Sequence, residues 1–113
     1  MEAKAISRYL HQSPYKVRKT LDSISSLKVE EALNHLHFSK EKAAKVIEKT
    51  LRSAISNLIN KDNELSVSTE KLSIKEAYVD GGPVMKRFRA ASMGRASRLR
   101  RPTSHLTIVV TDE

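Results

Sequence analysis

The chain contains neither cysteine nor tryptophan, and it has only three glycines and three prolines among its 113 residues. Without cysteine there are no disulfides and no thiolate metal ligands, and a cysteine nucleophile is excluded. Aromatic residues make up 4% of the chain and hydrophobic residues 39%, so any core is small and aliphatic. A chain of this length has room for one core, and we expect residues 1–113 to form a single domain.

Segments that direct a chain to a membrane are also missing from the sequence. No apolar run approaches the roughly 20 residues that a helix needs to cross a bilayer. The first residues, Met1 to Ile6, lack the apolar stretch of a signal peptide and carry an acidic residue early. We therefore expect a cytoplasmic protein without a membrane partner.

Acidic residues are absent from Gly81 to Thr111, and this is the most informative absence in the chain. The same segment carries nearly the whole net charge of +8, on Lys86, Arg87, Arg89, Arg95, Arg98, Arg100 and Arg101. A solvated surface usually mixes charges of both signs, whereas a one-sided segment favours an anionic partner, most commonly phosphate. Because arginine binds phosphate through two hydrogen bonds and stacks on bases, the composition favours folded RNA.

Apolar spacing and capping residues predict helices in the first half of the chain. Ser13 and Pro14 suit the N-cap and the first position of a short helix. A second short helix is predicted by apolar residues that share one face, namely Val29, Ala32, Leu33 and Leu36. The third helix is the clearest, with Ser39 as a cap, Glu41 in its first turn and apolar residues at helical spacing over about twenty positions.

Alternating apolar residues predict strands at both ends of the basic segment. A short strand is expected between Ala3 and Leu10. Residues 72–79 alternate with a change of parity near Lys75 and Glu76, which predicts a bulge, and residues 106–110 alternate regularly. If the last two strands pair, residues 80–105 form a long hairpin or a large loop.

The basic segment itself fits two conformations. In the extended one, Gly81-Gly82-Pro83 forms a bend and Gly94 lies near the tip of a hairpin. A helix is also compatible, because apolar or small residues recur at spacings of three and four, at Met85, Phe88, Ser92, Ala96 and Leu99. Such a helix is typical of a basic module that binds an anionic membrane or an acidic protein, and this is the alternative function. Gly94 within the pattern and the strand after Pro102 favour the extended form.

Candidates for catalysis and metal binding are weak. His35 and His37 are two residues apart and point to different faces of a helix. Ser104 and His105, with Asp80 or Asp112, have the residue types of a catalytic triad. However, the side chains of neighbouring residues rarely face one another, and no nucleophile elbow is present. We therefore expect no enzymatic activity, no metal and no cofactor.

Two further features remain open from the residues alone. Lys16, Arg18 and Lys19 lie in the first predicted helix, near the end where the helix dipole disfavours cations. They form either a solvated face or a second RNA contact. Met93 is either a chance exposed residue or part of a contact surface.

Several motifs, in this order, resemble one ribosomal family. The early ones are Ser-Pro-Tyr-Lys-Val-Arg at 13–18, Glu-Ala-Leu at 31–33 and Lys-Ala-Ala at 42–44. The most specific ones are Val-Asp-Gly-Gly-Pro at 79–83, Met-Lys-Arg at 85–87, Gly-Arg-Ala at 94–96 and Thr-Ser-His-Leu-Thr-Ile-Val-Val at 103–110. Over essentially its whole length the chain resembles the bacterial-type large-subunit ribosomal protein numbered twenty-two.

The resemblance implies an α+β fold in which three helices pack on a small antiparallel sheet and a long β-hairpin protrudes. The globular body would comprise residues 1–80 and 104–113, and the extended basic hairpin residues 81–103. It also implies a structural constituent of the large subunit that binds large-subunit (23S-type) rRNA, supports its assembly and lines the nascent-peptide exit tunnel with its hairpin tip.

The resemblance and the composition together give the expected site residues. The expected rRNA contacts are Lys16, Arg18, Lys86, Arg87, Arg89, Arg95, Arg98, Arg100, Arg101 and His105. The expected tunnel tip comprises Ser92, Met93, Gly94, Arg95 and Ala96. The expected partners are large-subunit rRNA, neighbouring ribosomal proteins and the nascent peptide, with no homo-oligomer.

Overall fold

The computed structural model describes residues 2–61, 71–90, 94 and 96–112, with the backbone alone for residues 89–90 and 96–99. These residues form, in chain order, β1 (Glu2–Leu10), α1 (Pro14–Asp22), α2 (Val29–His37), α3 (Lys42–Lys61), β2 (Ser73–Gly81), β3 (Met85–Ala90), β4 (Ala96–Arg101) and β5 (Ser104–Thr111). The helices pack on an antiparallel sheet with the strand order β1-β5-β2, and β3 pairs with β4 alone. The α+β prediction is confirmed.

The strand register explains which face of the main sheet is buried. Ala5, Ile108 and Ala77 are paired across the three strands, and this row contributes to the core against the helices. The next row, Ile6 with Thr107 and Tyr78, lies on the opposite face because side chains alternate along a strand. The register of β2 shifts between Ile74 and Glu76, so the predicted bulge is confirmed.

The first two helices follow their sequence signals. The Ser13 hydroxyl accepts a hydrogen bond from the backbone N–H of Lys16 at 3.4 Å, and Pro14 is the first helical residue, as predicted. The second helix buries Val29, Ala32 and Leu36. Both helices are short, so their stability depends on burial of these faces rather than on propensity.

The third helix differs from the prediction at its start. It begins at Lys42, so Glu41 precedes the first turn rather than lying in it. The Ser39 hydroxyl accepts a hydrogen bond from the backbone N–H of Glu41 at 3.3 Å, one residue before the helix begins. The Glu41 carboxylate accepts a hydrogen bond from the Thr20 hydroxyl, which links the start of α3 to α1.

The core is aliphatic, as the composition predicts. Its largest fully buried side chains are Ile24, Leu36, Ile47, Leu51, Leu58, Leu72, Leu106 and Ile108. Burying one such side chain contributes roughly 1.5–3 kcal/mol to the free energy of unfolding. The core therefore lies between the helices and the main sheet, and none of these residues falls between positions 81 and 103.

Both edges of the main sheet are occupied by polar groups of the chain itself. On the β1 edge, Asn57 Nδ2 donates to the Lys4 carbonyl and Lys61 Nζ to the Glu2 carbonyl, each at 3.0 Å. At the β2 edge, Arg18 donates to the Val79 carbonyl. Edge groups bonded in this way are less open to pairing with another strand.

The basic segment is extended rather than helical. Strand β3 pairs antiparallel with β4 from Met85 opposite Arg101 to Ala90 opposite Ala96, which rules out the amphipathic helix over 84–101 in this structure. Each strand has six residues, or about 20 Å, which is shorter than the whole predicted excursion. We call residues 83–102 the arm and the remaining described residues the body.

The overall dimensions are those of an elongated molecule. The principal extents are 66 × 24 × 16 Å, and the radius of gyration is 17.3 Å. A compact chain of about 100 residues has a radius of gyration near 13 Å. Basic residues in the arm are therefore carried away from the mass of the body.

Candidate nucleic-acid interface

The antiparallel register sorts the arm residues onto two faces. Lys86, Phe88 and Arg100 share one face, and Met85, Arg87 and Arg101 share the other. All four of these basic residues are exposed. Arg87 lies back along its strand, where Nη1 donates to the Lys86 carbonyl at 2.9 Å and Nη2 approaches the Met85 sulfur at 3.8 Å. The arm therefore presents cations on both faces.

A tight crossing of two chain segments joins the arm to the body. The Gly82 N–H donates to the Thr103 carbonyl at 2.9 Å, and the Thr103 hydroxyl donates to the Pro83 carbonyl at 2.6 Å. A side chain at Gly82 would collide with the Thr103 hydroxyl and lie 3.2 Å from His105 Nε2. Glycine is needed here because the segments approach too closely for a Cβ atom.

His105 lies at the same junction. Its Nδ1 accepts a hydrogen bond from the backbone N–H of Tyr9 at 3.0 Å, and the two rings make an edge-to-face contact with centroids 4.9 Å apart. Tyr9 has a φ of 57°, which is uncommon for a residue other than glycine. It interrupts the register of β1 with β5 between Ser7 and Leu10. His105 is half-buried and fixes this irregular strand end, while its predicted rRNA contact remains a prediction.

A concave surface of about 470 Å³ lies where α1, α3 and the arm meet. We call it the basic concavity; it is lined by His11, Gln12, Ser13, Lys16, Lys42, Met85, Arg100, Arg101 and Pro102. Four of these residues are cationic and none is acidic. The structure therefore brings Lys16, predicted on the first helix, to the same surface as Arg100 and Arg101.

The helix ends add to the positive potential of the basic concavity. Lys16 and Lys42 lie in the first turns of α1 and α3, and neither of those turns contains an acidic residue. A cation at this end of a helix is disfavoured by the helix dipole by roughly 0.3–1 kcal/mol. An anion bound there would interact favourably with both lysines and with both helix ends.

Of the ionisable residues that line this surface, Lys42 and His11 were not among the predicted contacts. Lys42 belongs to a stretch of mixed lysine and glutamate whose pattern is typical of a solvated helix. The one available signal was its position at the start of a helix, where a cation is unfavourable. His11 follows a strand and carries no pattern of its own.

Arg18 has a structural contact in addition to its predicted role. Its Nε and Nη2 donate to the Val79 carbonyl at 3.2 and 2.7 Å. These bonds hold α1 against the edge of β2. The guanidinium retains further N–H donors beyond these two, so binding of an anion is compatible with the contact.

The tip of the arm is described in part. Gly94 has a φ of 72°, a conformation that side chains other than glycine rarely adopt, and it is exposed. Ala96 begins β4. The predicted tip residues Ser92, Met93 and Arg95 lie outside the described residues, and for Arg89 and Arg98 the structure describes the backbone alone.

The residues considered for catalysis do not form a triad. Asp80 is the strand partner of His105, but His105 Nδ1 already accepts the Tyr9 N–H. The Ser104 side chain is buried, and within the described part of the chain its hydroxyl has no hydrogen-bond partner. Among these described residues, hydrogen bonds do not connect a nucleophile to a base and that base to an orienting group.

The remaining candidates can be placed as well. His35 and His37 are exposed, and His37 Nδ1 lies 3.5 Å from a Glu48 carboxylate oxygen. Over residues 2–61, 71–90, 94 and 96–112, no group of three or more side chains is suited to hold a metal ion. Across the same ranges, no helix has the length and apolar character needed to cross a membrane.

Comparison with known proteins identifies the family. The family described as ribosomal protein L22p/L17e matches residues 5–111. A curated relative from Chloroflexus aggregans, named large ribosomal subunit protein uL22, is 42% identical over 113 residues, covering 100% of this chain and 97% of the relative. The protein of the same name from Halothermothrix orenii is 44% identical, covering 100% of this chain and 97% of the relative. The one from Magnetococcus marinus is also 44% identical, covering 96% of this chain and 94% of the relative.

The chain therefore belongs to the ribosomal protein L22p/L17e family. It is a structural, non-enzymatic protein of the large subunit of the cytoplasmic ribosome, and it serves translation. The family resemblance predicted from the sequence motifs is confirmed.

Proposed function

We propose that this chain binds large-subunit, 23S-type rRNA and supports the assembly of the subunit. The observation that carries the proposal is the basic concavity, where Lys16 and Lys42 of the body meet Arg100 and Arg101 of the arm. Cations from three separate elements line this surface, and a polyanion bound there would relieve their mutual repulsion. Three of the predicted rRNA contacts, Lys16, Arg100 and Arg101, line this surface.

The mechanism follows from charge neutralisation. Each lysine or arginine that contacts a phosphate releases a condensed counterion, so affinity falls steeply as salt rises. Lys86 and Arg87 extend the same charge along the arm, and we propose that Arg89, Arg95 and Arg98 continue it to the tip. The protein would thus bridge RNA segments that otherwise repel one another.

The arm also supports a finer proposal. Residues 1–80 and 104–113 would form a globular body within one domain, while residues 81–103 carry a tip that lines the nascent-peptide exit tunnel. Ser92, Met93, Gly94, Arg95 and Ala96 would then face the nascent peptide. Neighbouring ribosomal proteins would contact the body, and the occupied edges of the main sheet favour a protein that does not pair with itself.

The test is binding of the full chain to large-subunit rRNA over a range of salt concentrations. The variant Lys86→Gln/Arg100→Gln removes two opposed cations of the arm. We expect its affinity to fall at least tenfold near physiological salt, and the slope of log K against log salt to decrease by about 2.

A matched control removes the same charge at a distance from the arm. Lys28 and Lys71 lie beside the start of β2, whereas the arm follows its end. Lys28→Gln/Lys71→Gln should leave the salt slope within about 0.5 of the wild type. Equal losses for both variants would mean that binding follows net charge alone and would contradict the proposed interface.

A further inference from the structure

An exposed aromatic ring lies in the middle of the cationic arm. The Phe88 residue is 70% exposed, although phenylalanine is among the residues that folding most favours burying. The register places Phe88 on the same arm face as Lys86 and Arg100, with Arg98 as its cross-strand partner. By register, the residues beside Phe88 on this face are the basic residues Lys86, Arg98 and Arg100 and, toward the tip, the alanine pair Ala90 and Ala96.

Two other exposed or junction rings make ring contacts that Phe88 lacks, whereas Tyr15, at 78% exposure, has no ring partner in the described part of the chain but carries a hydroxyl that can face water. Phe38, at 80% exposure, contacts the His37 ring edge-to-face with centroids 5.1 Å apart, and Tyr9 contacts His105. Phe88 makes no ring contact with any residue in the described part of the chain. Among the arm side chains that the structure describes, none contacts the Phe88 ring through a ring of its own.

We propose that Phe88 stacks on an unpaired nucleobase of the rRNA, with Lys86 and Arg100 contacting phosphates beside it. This inference rests on the proposed rRNA binding. Aromatic side chains interleaved with cations are the usual way in which proteins bind single-stranded RNA, since every base has a face on which a ring can stack. Phe88 would then recognise an unpaired RNA segment, whereas the cations of the interface recognise only the negative charge of the phosphates.

A protein pocket is the less favourable occupant of this site. A pocket that enclosed Phe88 would also remove water from Lys86 and Arg100, and buried cations are costly unless each is paired. In single-stranded RNA each base is attached to a phosphate, so the ring and the cations are satisfied together. The local charge therefore favours a nucleobase.

The absence of tryptophan from the chain makes the stacking directly measurable. Phe88→Trp keeps a stacking ring and introduces one tryptophan, which can be excited selectively in the presence of the three tyrosines. We expect its fluorescence to be strongly quenched by large-subunit rRNA and by a single-stranded RNA oligonucleotide, because bases in contact with indole quench it. An abasic oligonucleotide of the same length, which has the phosphates without the bases, should leave the fluorescence nearly unchanged.

A control probe separates stacking from general quenching. Tyr78, 46% exposed on the outer face of the main sheet, is also an exposed aromatic residue, and Tyr78→Trp should be quenched far less by the same RNA. Equal quenching of the two probes, or equal quenching by the abasic strand, would overturn the inference. Fluorescence that changes only when other ribosomal proteins are added would point to a protein pocket and would overturn it as well.

Affinity provides an independent measurement. Phe88→Leu keeps an apolar side chain but loses the ring, and we expect it to bind large-subunit rRNA about tenfold more weakly. Phe88→Trp should bind like the wild type, and both should retain the wild-type salt slope because no phosphate contact is lost. If Phe88→Leu binds like the wild type, the stacking inference fails while rRNA binding stands; if the wild type itself does not bind, the proposed function fails.

Discussion

The body and the arm are stabilised in different ways. Every buried hydrophobic side chain among the described residues lies in the body, most of them between α3 and the main sheet. The described part of the arm has none, and two paired strands without a buried face are marginal in water. Stability and function are therefore separable here: the body depends on its core, and the arm depends on what neutralises its charge.

The largest effect is expected in the core of the body. Leu51 lies in α3 and is fully buried. Leu51→Ala should lower the free energy of unfolding by about 2–5 kcal/mol through lost burial and a residual cavity. Urea denaturation followed by circular dichroism measures the change.

The arm supplies the matched control for that change. Val84 is half exposed at the base of the arm, and Val84→Ala should change the free energy of unfolding by less than about 0.5 kcal/mol. A similar loss in both variants would show that the arm contributes to the core, and the division between the two regions would fail.

The junction of the two regions should give the next largest effect. A Cβ atom at Gly82 would displace the Thr103 hydroxyl that donates to the Pro83 carbonyl. We expect Gly82→Ala to cost roughly 1–3 kcal/mol, as overpacking does elsewhere, and to speed hydrogen exchange of the residue 82 amide. Gly81 has open space around its Cα, so Gly81→Ala is the natural control and should be nearly neutral. Loss of stability in Gly81→Ala alone would contradict the proposed crossing geometry.

A third change should move stability and binding in opposite directions. Lys16→Gln/Lys42→Gln removes two body cations from the first turns of α1 and α3. Binding to large-subunit rRNA should weaken about tenfold, with a salt slope lower by about 2. The free energy of unfolding should rise by a few tenths of a kcal/mol, because unfavourable contacts with the helix dipoles are removed.

Comparison with the arm variant sharpens this result. If Lys16→Gln/Lys42→Gln and Lys86→Gln/Arg100→Gln weaken binding to a similar extent, the body shares the interface with the arm. Wild-type affinity for the body variant would confine the interface to the arm and remove the basic concavity from it.

Local features of the fold were predictable from the sequence. The Ser13-Pro14 cap, the apolar stripe of α3 and the bulge at Lys75 all depend on residues a few positions apart. Periodicity reports which face of an element is buried, and the structure confirms those faces. The predicted start of α3 was two residues too early, because several polar residues there can act as caps.

Contacts between elements that are distant in the sequence were not predictable from these local patterns. The bond from Tyr9 to His105 links residues 96 positions apart and depends on the register of β1 with β5. The basic concavity likewise requires α1, α3 and the arm to meet. A sequence pattern indicates what each residue prefers locally, whereas these contacts depend on how separate elements are placed in space.

The smallest effect is expected from an ion pair on the surface of the body. A hydrogen bond from Arg52 lowers the pKa of Glu48 below its ordinary value of 4.5, outweighing the opposing effect of burial, and His37 lowers it further. The Arg52 Nη2 atom lies 2.9 Å from the carboxylate, and Glu48 is 16% exposed while Arg52 is 61% exposed. Because the Arg52 partner is largely solvated and the pair is of the i,i+4 type, Glu48→Gln should cost only about 0.3–0.5 kcal/mol near pH 7.

The sign of the pH dependence follows from the lowered pKa. The folded protein binds the Glu48 proton less readily than the unfolded chain does, so the contribution is complete above pH 4.5 and is lost as pH falls through the folded-state pKa. The free energies of unfolding of the wild type and Glu48→Gln should therefore differ at pH 6, and the difference should shrink as the pH falls below 4.5. In both proteins Glu2 also makes stability depend on pH, because the hydrogen bond from Lys75 is the largest of the effects that lower its pKa. A difference that persists unchanged at pH 3 would mean that Glu48 acts through packing rather than charge. Binding of Glu48→Gln to large-subunit rRNA should match that of the wild type, because Glu48 and Arg52 both lie on α3 and neither lines the basic concavity.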